Sequence, residues 1–443
     1  MVKITQNVEA AYEVESVYGS PPGSNLFHLG LLDTFDPRQV ERSVTPVPSI
    51  GQSTDAHHAL GPLGVTVPLK VACNGTGWKQ LLGHAIGEST VDSYKHGNKL
   101  TSGVDSLAIL ARETGGDFTL VTGVVPNEVT LTADYTTGGY ITCEATCTGY
   151  YSLDEADANF DGFLGDDYSS VNFPSAPSAD PLLPTDLSVT VGLAASTKGL
   201  SIDGPAGSYV EVGEKYIQAF NANGTLNTDF DGDGIMDLTN GSFDTVTKIS
   251  TLIEADSNWG STVLGSGGAE LSQNLVKGIY YTGADADEDE TDGSQANIYA
   301  ATDADGTGMT TTFTNLKTVT LKIANNNTPI SGRATGDDSS VKWLLNNAIS
   351  RGKADVTLDL TMTAEDETYY DIYHAGTTIP LIRLDFGSEG SIALTNGTIT
   401  AFSRPLTPGG EIVDTMSIKF RGAGNYKNYS AYAISSDITL TPS

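Results

Sequence analysis

The sequence predicts a mainly β protein: two tandem β-sandwich or barrel domains, each flanked by one α-helix, plus an acidic β-rich insertion. Three observations carry this. Stretches with period-2 alternation dominate the chain. A helical signature occurs twice, as Lys79-Gln-Leu-Leu-Gly-His-Ala-Ile86 and as Lys342-Trp-Leu-Leu-Asn-Asn-Ala-Ile349. Each copy is followed by the same order of strand, Gly, strand, Gly-Gly, strand, Gly. Phe118-Thr-Leu-Val-Thr-Gly123 leads to Gly138-Gly139 and a strand ending at Gly149; Ile392-Ala-Leu-Thr-Asn-Gly397 leads to Gly409-Gly410 and a strand ending at Gly422. One fold used twice suits a ring with half as many subunits as positions.

Residues 1–150 form the first predicted domain. Segments 65–72, 128–133 and 140–147 alternate and are rich in β-branched residues, as half-buried strands require. Trp78, Leu81, Leu82, Ala85 and Ile86 make one apolar stripe at i, i+3, i+4, i+7, i+8, and Gly87 supplies a stop. His84 lies beside that stripe as a packing or interface residue. Cys73, Cys143 and Cys147 are too few and too badly spaced for a disulfide framework or a zinc site. Cys143 and Cys147 share a strand face and read as core fillers.

Residues 151–184 form a linker, running from an Asp-rich patch into the proline-stiffened stretch Phe173-Pro-Ser-Ala-Pro-Ser-Ala-Asp-Pro-Leu-Leu-Pro184. The second domain, 185–443, contains a large acidic insertion at about 203–315. Beyond it, segments 318–323, 355–362 and 415–420 alternate as strands. Val341, Leu344, Leu345, Ala348 and Ile349 repeat the helical stripe.

The chain carries 23 Lys and Arg against 55 Asp and Glu, a net charge of -32. Self-repulsion of that size destabilises a compact fold in dilute buffer. Bound divalent cations, a strongly saline medium, or a surface built to repel another polyanion would account for it. At about 1 M salt the Debye length is roughly 3 Å, and such a charge is tolerated. Acids spread through the chain, few Lys and much Gly, Ser and Thr are the composition of halophile proteins. Ordinary nucleic-acid binding, which sets Lys and Arg against phosphate, is disfavoured. A passage along which DNA slides without sticking is not. The N-terminal residues show no apolar h-region, and no run of about 18 apolar residues occurs, so membrane insertion is not expected.

At this point the chain resembles the tail tube proteins of tailed phages and tailed archaeal viruses. The resemblance rests on Tyr12-Glu-Val-Glu-Ser-Val-Tyr-Gly19, Phe27-His-Leu-Gly-Leu-Leu32, and the unit from Leu63-Gly-Val-Thr-Val-Pro-Leu-Lys70 to Gly87. It continues through Ser106-Leu-Ala-Ile-Leu-Ala-Arg112 and the segments 120–131 and 138–149, with a second copy at about 316–425. It implies two tail-tube-like domains whose inner sheets join into a ring lining a channel. Homo-oligomeric rings would stack, as trimeric pseudo-hexamers given the duplication, or as hexamers. The implied role is a structural virion protein, not an enzyme, located in the tail after synthesis in the host cytoplasm. Its partners would be other tail proteins and viral DNA passing through the lumen without sequence-specific binding. The charge points to a virus of a halophilic archaeon. Segments 37–60 and 87–106 are candidates for ring-to-ring contacts.

Asp229-Phe-Asp231-Gly-Asp233-Gly-Ile235-Met-Asp237 is the strongest local motif. Carboxylates at positions 1, 3 and 5, Gly at 6, the Ile235 carbonyl at 7 and an acid at 9 suit Ca²⁺, or Mg²⁺ in a saline cell. Asn240 stands at position 12 in place of the bidentate Glu. Asp157, Asn159 and Asp161 form a weaker cousin. Segment 285–292 lacks the glycine and reads as a solvated charge run. His57-His58 reads as a surface loop pair, and no catalytic fingerprint is present. Two other classes compete. A calcium-binding surface-layer or adhesin module of a haloarchaeon shares the acids and the β content, but calls for an export signal. A carbohydrate-active β-sandwich enzyme calls for a carboxylate pair and aromatic platforms, and only three Trp occur.

Overall fold

The computed structural model describes residues 8–15, 18–19, 22, 26–36, 39–47, 57–86, 88–90, 93–96, 106–113, 118–154, 173–214, 216–228, 230, 234–238, 240–255, 258–282, 296–302, 308–309, 311–333, 344–350, 352, 355–406, 410–421 and 434–436. The chain is mainly β and its sheets are antiparallel. A first unit contains β1 (Val8–Val14), β2 (Leu32–Phe35), β3 (Gln39–Val47), β4 (His57–Ala72), α1 (Gly77–Ile86), β5 (Leu107–Glu113), β6 (Phe118–Asp134), β7 (Thr142–Gly149) and β8 (Tyr151–Asp154). A second unit opens with β9 (Ser188–Gly192), is interrupted by an insertion carrying α2 (Val246–Ile253), and resumes at β10 (Leu316–Ala324). It continues through β11 (Thr328–Arg333), β12 (Leu344–Ser350), β13 (Asp355–Thr363), α3 (Thr368–Ala375), β14 (Ile379–Asp385), β15 (Ser391–Ser403), β16 (Val413–Lys419) and β17 (Ile434–Ser436).

The two units share one pairing scheme. In the first, β1 pairs β5, β5 pairs the start of β6, and that start also pairs β8. The end of β6 crosses to a second sheet, pairing β7, which pairs β4, which pairs β2 and β3. In the second unit β9, β14, the start of β15 and β17 repeat the first of these sheets. The end of β15 with β16, β13 and β10 repeats the other. The crossing strand must bend between sheets, and a glycine sits at each bend. Gly123 has φ +63°, and a Cβ there would lie 2.4 Å from Tyr150 Cβ. In β15, Asn396 has φ +50° and Gly397 follows, where a Cβ would lie 2.8 Å from Ile418 Cγ2.

One apolar core runs through both units, from Ala10 and Tyr12 on β1 to Ile418 and Phe420. The first nine residues of β6 are all buried, because that stretch is covered on both faces. Cys73, Cys143 and Cys147 are buried free thiols in the core, the role their spacing predicts.

The second predicted helix is not there. Leu344–Ser350 is strand β12, paired with β11 so that Ile349 lies opposite Pro329; Lys342 and Trp343 lie outside the described residues. A hairpin partner upstream satisfies its backbone, and that outweighs the apolar stripe. The helix of the second unit is α3 instead, in the position of α1. Its tyrosine-rich sequence Thr-Tyr-Tyr-Asp-Ile-Tyr-His-Ala has poor helix propensity. Its ends carry the signal: Thr368 N–H donates to Asp366 Oδ1 at 2.9 Å, and Gly376 takes the left-handed C′ conformation, φ +65°. His57-His58 also departs from expectation, lying in strand β4 and not in a loop.

The insertion starts earlier than residue 203. Ala194–Asp203 is the central strand of a sheet with Gly260–Leu264 and Ala296–Thr302. A second sheet comprises Ile235–Asp237, Tyr216–Phe220, Tyr209–Val212 and Gly278–Tyr281. Its core, including Phe230, Trp259 and Ile249 of α2, is separate from the main one. The insertion packs on β14: Ile382 and Leu384 enter the main core, while Leu381 and Arg383 meet the insertion.

Gly123→Ala should cost about 1–3 kcal/mol for the left-handed backbone, plus the clash with Tyr150. Gly138→Ala, at φ +65° with nothing within 4 Å of the added Cβ, carries only the backbone cost. Denaturant midpoints of both variants check the difference.

Candidate functional site

The two units meet edge to edge. The outer edge of β6 pairs antiparallel with β10, from Asp134 opposite Thr318 to Glu128 opposite Ala324. The result is one sheet of eight successive strand positions: β2 and β3, then β4, β7, β6, β10, β13, β16 and β15. An asparagine clamp locks the seam. Asn325, buried, donates from Nδ2 to the Ala85 carbonyl at the end of α1, at 2.9 Å. Asn327 N–H donates to Asn127 Oδ1 at 2.6 Å, and Asn327 Nδ2 to the Pro126 carbonyl at 3.0 Å. Lys79 on α1 pairs with Glu389, and Trp78 meets Phe386 with ring centroids 5.5 Å apart. Every residue of α1 is buried.

At the two ends of this sheet the same edges recur without a partner strand among the described residues. Thr398–Ser403 of β15 pairs only β16, although its counterpart in β6 pairs a further strand. β2 pairs only β4, although its counterpart β10 pairs a further strand.

One face of the sheet lies on the core; the other is solvated. The register sets Val71, Cys143, Leu131, Leu321, Leu358, Ile418 and Ile399 in one buried row. The neighbouring outward row reads Thr34, Lys70, Glu144, Thr130, Lys322, Thr357, Lys419, Thr398, one residue per strand position. The three lysines of that row are each paired: Lys70 with Asp33 at 3.2 Å, Lys322 with Glu128 at 2.7 Å, Lys419 with Asp355 at 2.7 Å. Glu144 and Asp359 add exposed carboxylates. The face is therefore threonine-rich, with its described lysines neutralised and acid in excess.

At the open β15 end, Arg404 fastens the start of α3. Its Nε and Nη2 hold both oxygens of buried Asp414, at 2.5 and 2.8 Å, while Nη1 reaches Glu367 at 2.6 Å.

Most of the predicted metal residues lie outside the described residues: Asp229, Asp231 and Asp233 of the first loop, and Asp157, Asn159 and Asp161 of the second. Ile235 and Asp237 stand on the short strand Ile235–Asp237. Among the described residues no group of three or more His, Cys, Asp or Glu is placed to hold a metal ion. No described helix is long and apolar enough to cross a membrane.

Sequence reasoning missed a buried ionic cluster that ties the insertion to the second unit. Glu214 accepts from Arg383 Nε on β14 and from Ser391 Oγ at 3.2 Å, and lies 3.5 Å from Lys277 Nζ. Lys277 Nζ donates to the Gln273 carbonyl at 2.7 Å, and Arg383 Nη2 to the same oxygen at 2.6 Å. Burial would raise the Glu214 carboxyl, but Arg383 and Lys277 outweigh it and hold it below its ordinary value. Burial pushes the Lys277 ammonium down to about 8 despite Glu214. A Glu, a Lys and an Arg separated by 63 and 106 positions in sequence leave no local signal.

A scan against protein-family models matches none, and no curated protein matches. One similar solved structure is described as the tail of an empty GTA particle, from helical refinement with C6 symmetry. It shares 16% identity, covers 29% of this chain and 90% of its own, and superposes with a TM-score of 0.20. That score is too low to support any inference about this chain.

Lys277 titrates at about 8 in the folded chain against an ordinary 10.5, so between those values the unfolded chain holds the extra proton. The penalty of burying the charged Lys277 is full below about pH 8 and fades as pH rises towards 10.5. Measured against Lys277→Met, the parent should gain stability across that window. A stability difference flat in pH would contradict the assignment.

Proposed function

We propose that this chain is the repeating subunit of a hollow tube, the tail tube of a tailed virus. Copies join side by side into stacked rings whose solvated sheet faces line the lumen. The observation that carries this reading is the β6–β10 seam. It joins one unit to the next, and the sheet ends, among the described residues, in the same two complementary edges. A contact of this head-to-tail kind repeats until it closes. Backbone pairing of strand edges is the mode of assembly, and multimolar salt leaves it largely intact while screening ion pairs.

The lining supports passage of DNA. A face whose described lysines are paired with carboxylates offers phosphate little free positive charge among the described residues, and its excess acid repels the polyanion without sequence preference. The role is structural and non-enzymatic, in a virion assembled in the host cytoplasm together with other tail proteins. The net charge of -32 supports a haloarchaeal host.

The Asp229–Asp237 loop is proposed as a Ca²⁺ site, with Mg²⁺ as the alternative ion and the Asp157, Asn159, Asp161 loop as a second. Gly234, sixth in the loop, takes φ +83°, and a Cβ there would lie 2.6 Å from the Asn227 carbonyl oxygen; the backbone makes the sharp turn such a loop needs. Asn240, twelfth, instead accepts from Ser242 N–H at 3.0 Å, so a bidentate twelfth ligand is missing and affinity is modest.

Two measurements test this. Electron microscopy of the protein in multimolar salt with Ca²⁺ should show hollow rings or tubes. Ala401→Lys with Ser403→Lys, which charges the open β15 edge, should leave the fold intact and abolish assembly; discrete monomers of the parent at high concentration would instead favour the surface-layer module. Separately, Ca²⁺ should raise the unfolding temperature of the parent and not of Asp231→Asn/Asp233→Asn. No shift in the parent would sink the metal assignment.

A further inference from the structure

Helices α1 and α3 occupy the same place in their units: α1 starts at Gly77 after β4 ends at Ala72, and α3 at Thr368 after β13 ends at Thr363. Aligned on that spacing, Trp78 corresponds to Tyr369, Lys79 to Tyr370, Leu81 to Ile372 and Leu82 to Tyr373. The inward positions behave alike. Tyr369 stacks on Phe313 with centroids 5.0 Å apart, and Ile372 packs on the main core. The next face does not. Lys79 and Leu82 are buried, because the second unit covers α1 through Glu389, Phe386 and the Asn325 clamp. Tyr370 and Tyr373 are 41% and 40% exposed, and no residue of α3 is buried.

Those tyrosines extend into a larger apolar patch. Tyr370 and Tyr373 both contact Phe402, at 5.7 and 6.1 Å between centroids, and Leu406 and Ile412 nearby are 76% and 44% exposed. Phe402 lies on Thr398–Ser403, the open edge itself. Two exposed tyrosines at i, i+3 beside a strand edge without a partner among the described residues are costly in an isolated subunit and are the composition of an interface.

We infer that this patch seats a second copy of the chain. The β2 end of that copy covers Tyr370 and Tyr373 as β10 and its following loop cover α1. β2 is the counterpart of β10, and Leu31 beside it is 49% exposed, an apolar partner for the tyrosines. The inference rests on the ring reading above and adds that helix packing, not strand pairing alone, holds neighbouring copies together.

The test compares parent, Tyr370→Ser/Tyr373→Ser and Tyr370→Phe/Tyr373→Phe, with hydrogen exchange on α3 in dilute monomer and in assembled parent. The serine variant should unfold as the parent does but need at least tenfold more protein to assemble, and the phenylalanine variant should assemble as the parent does. Amides of α3 should gain protection only on assembly, a readout that holds even if the serine variant fails to fold. If the parent forms rings and the serine variant forms them at the same concentration, the inference falls and the ring reading stands. Equal protection of α3 in monomer and ring would mean the chain's own residues cover the patch, and also overturns it. A parent that never assembles removes both.

Discussion

The antiparallel pairing of β6 with β10 is the constraint on which the rest of the architecture depends. It closes a sheet edge that the first unit would otherwise leave open, and it encloses α1 so completely that Lys79 and His84 are buried with it. It also sets the register that puts seven core residues in one row and eight solvated residues in the next. The pairing is heterologous: it joins two different edges, and so leaves one of each at the ends of the sheet among the described residues. In the proposed ring, little apart from the covalent link would distinguish a seam inside the chain from one between chains. The contrast between buried α1 and bare α3 is what such a difference would look like in side chains.

Much of this was legible because the eight-stranded sheet has one wet and one dry face. Alternation in 128–133, 140–147, 318–323 and 355–362 is forced by that geometry, and each segment is a strand, the second from Thr142 onward. The glycines at 123 and 397 were legible as parts of a repeat, and their shared cause is the bend at which a strand changes sheets. The second helix was misplaced for an equally physical reason. Val341 to Ile349 carries a helical stripe, but its hairpin partner β11 stands before it, and pairing with that strand satisfies more backbone than an isolated short helix could. Meanwhile α3 gains little from its own sequence, since its outer face has no cover among the described residues. A helix whose apolar face is tyrosine does not announce itself by aliphatic periodicity. The cation loops were legible as motifs only, and they fall mostly outside the described residues.

The insertion illustrates how a third layer can be added without disturbing the first. The order of layers is the solvated sheet, the main core, the sheet of β9, β14, β15 and β17, and then the insertion on its far side. β14 serves both neighbours by alternation, Ile382 and Leu384 inward, Leu381 and Arg383 outward. The outward contact is small in apolar terms, and the Glu214–Lys277–Arg383 cluster supplies what burial does not. Such a cluster adds little net stability after desolvation, but it accepts only one orientation of its partners. Growth on this side leaves the solvated face unchanged.

On the tube reading proposed above, the width of the sheet sets how many copies a lumen for DNA would require. Strands lie about 4.8 Å apart, so eight positions in each of three copies give a backbone circle roughly 37 Å across, before strand tilt widens it. Side chains reach inward by about half the 10 Å spacing of packed sheets, leaving a bore of roughly 27 Å. Two copies would leave roughly 14 Å by the same reckoning, less than a duplex whose two grooves are about 8.5 and 7.5 Å deep. Six copies would leave roughly 63 Å, far wider than a duplex needs. In the proposed ring, three copies, six units, would be the number at which a channel admits a duplex and still confines it. In such a ring the paired lysines and excess acid would lie within a Debye length of the phosphates in dilute salt, about 10 Å at 0.1 M. In multimolar salt that repulsion would shorten to contact range, and the threonine face, neutral and small, would become what a passing strand meets.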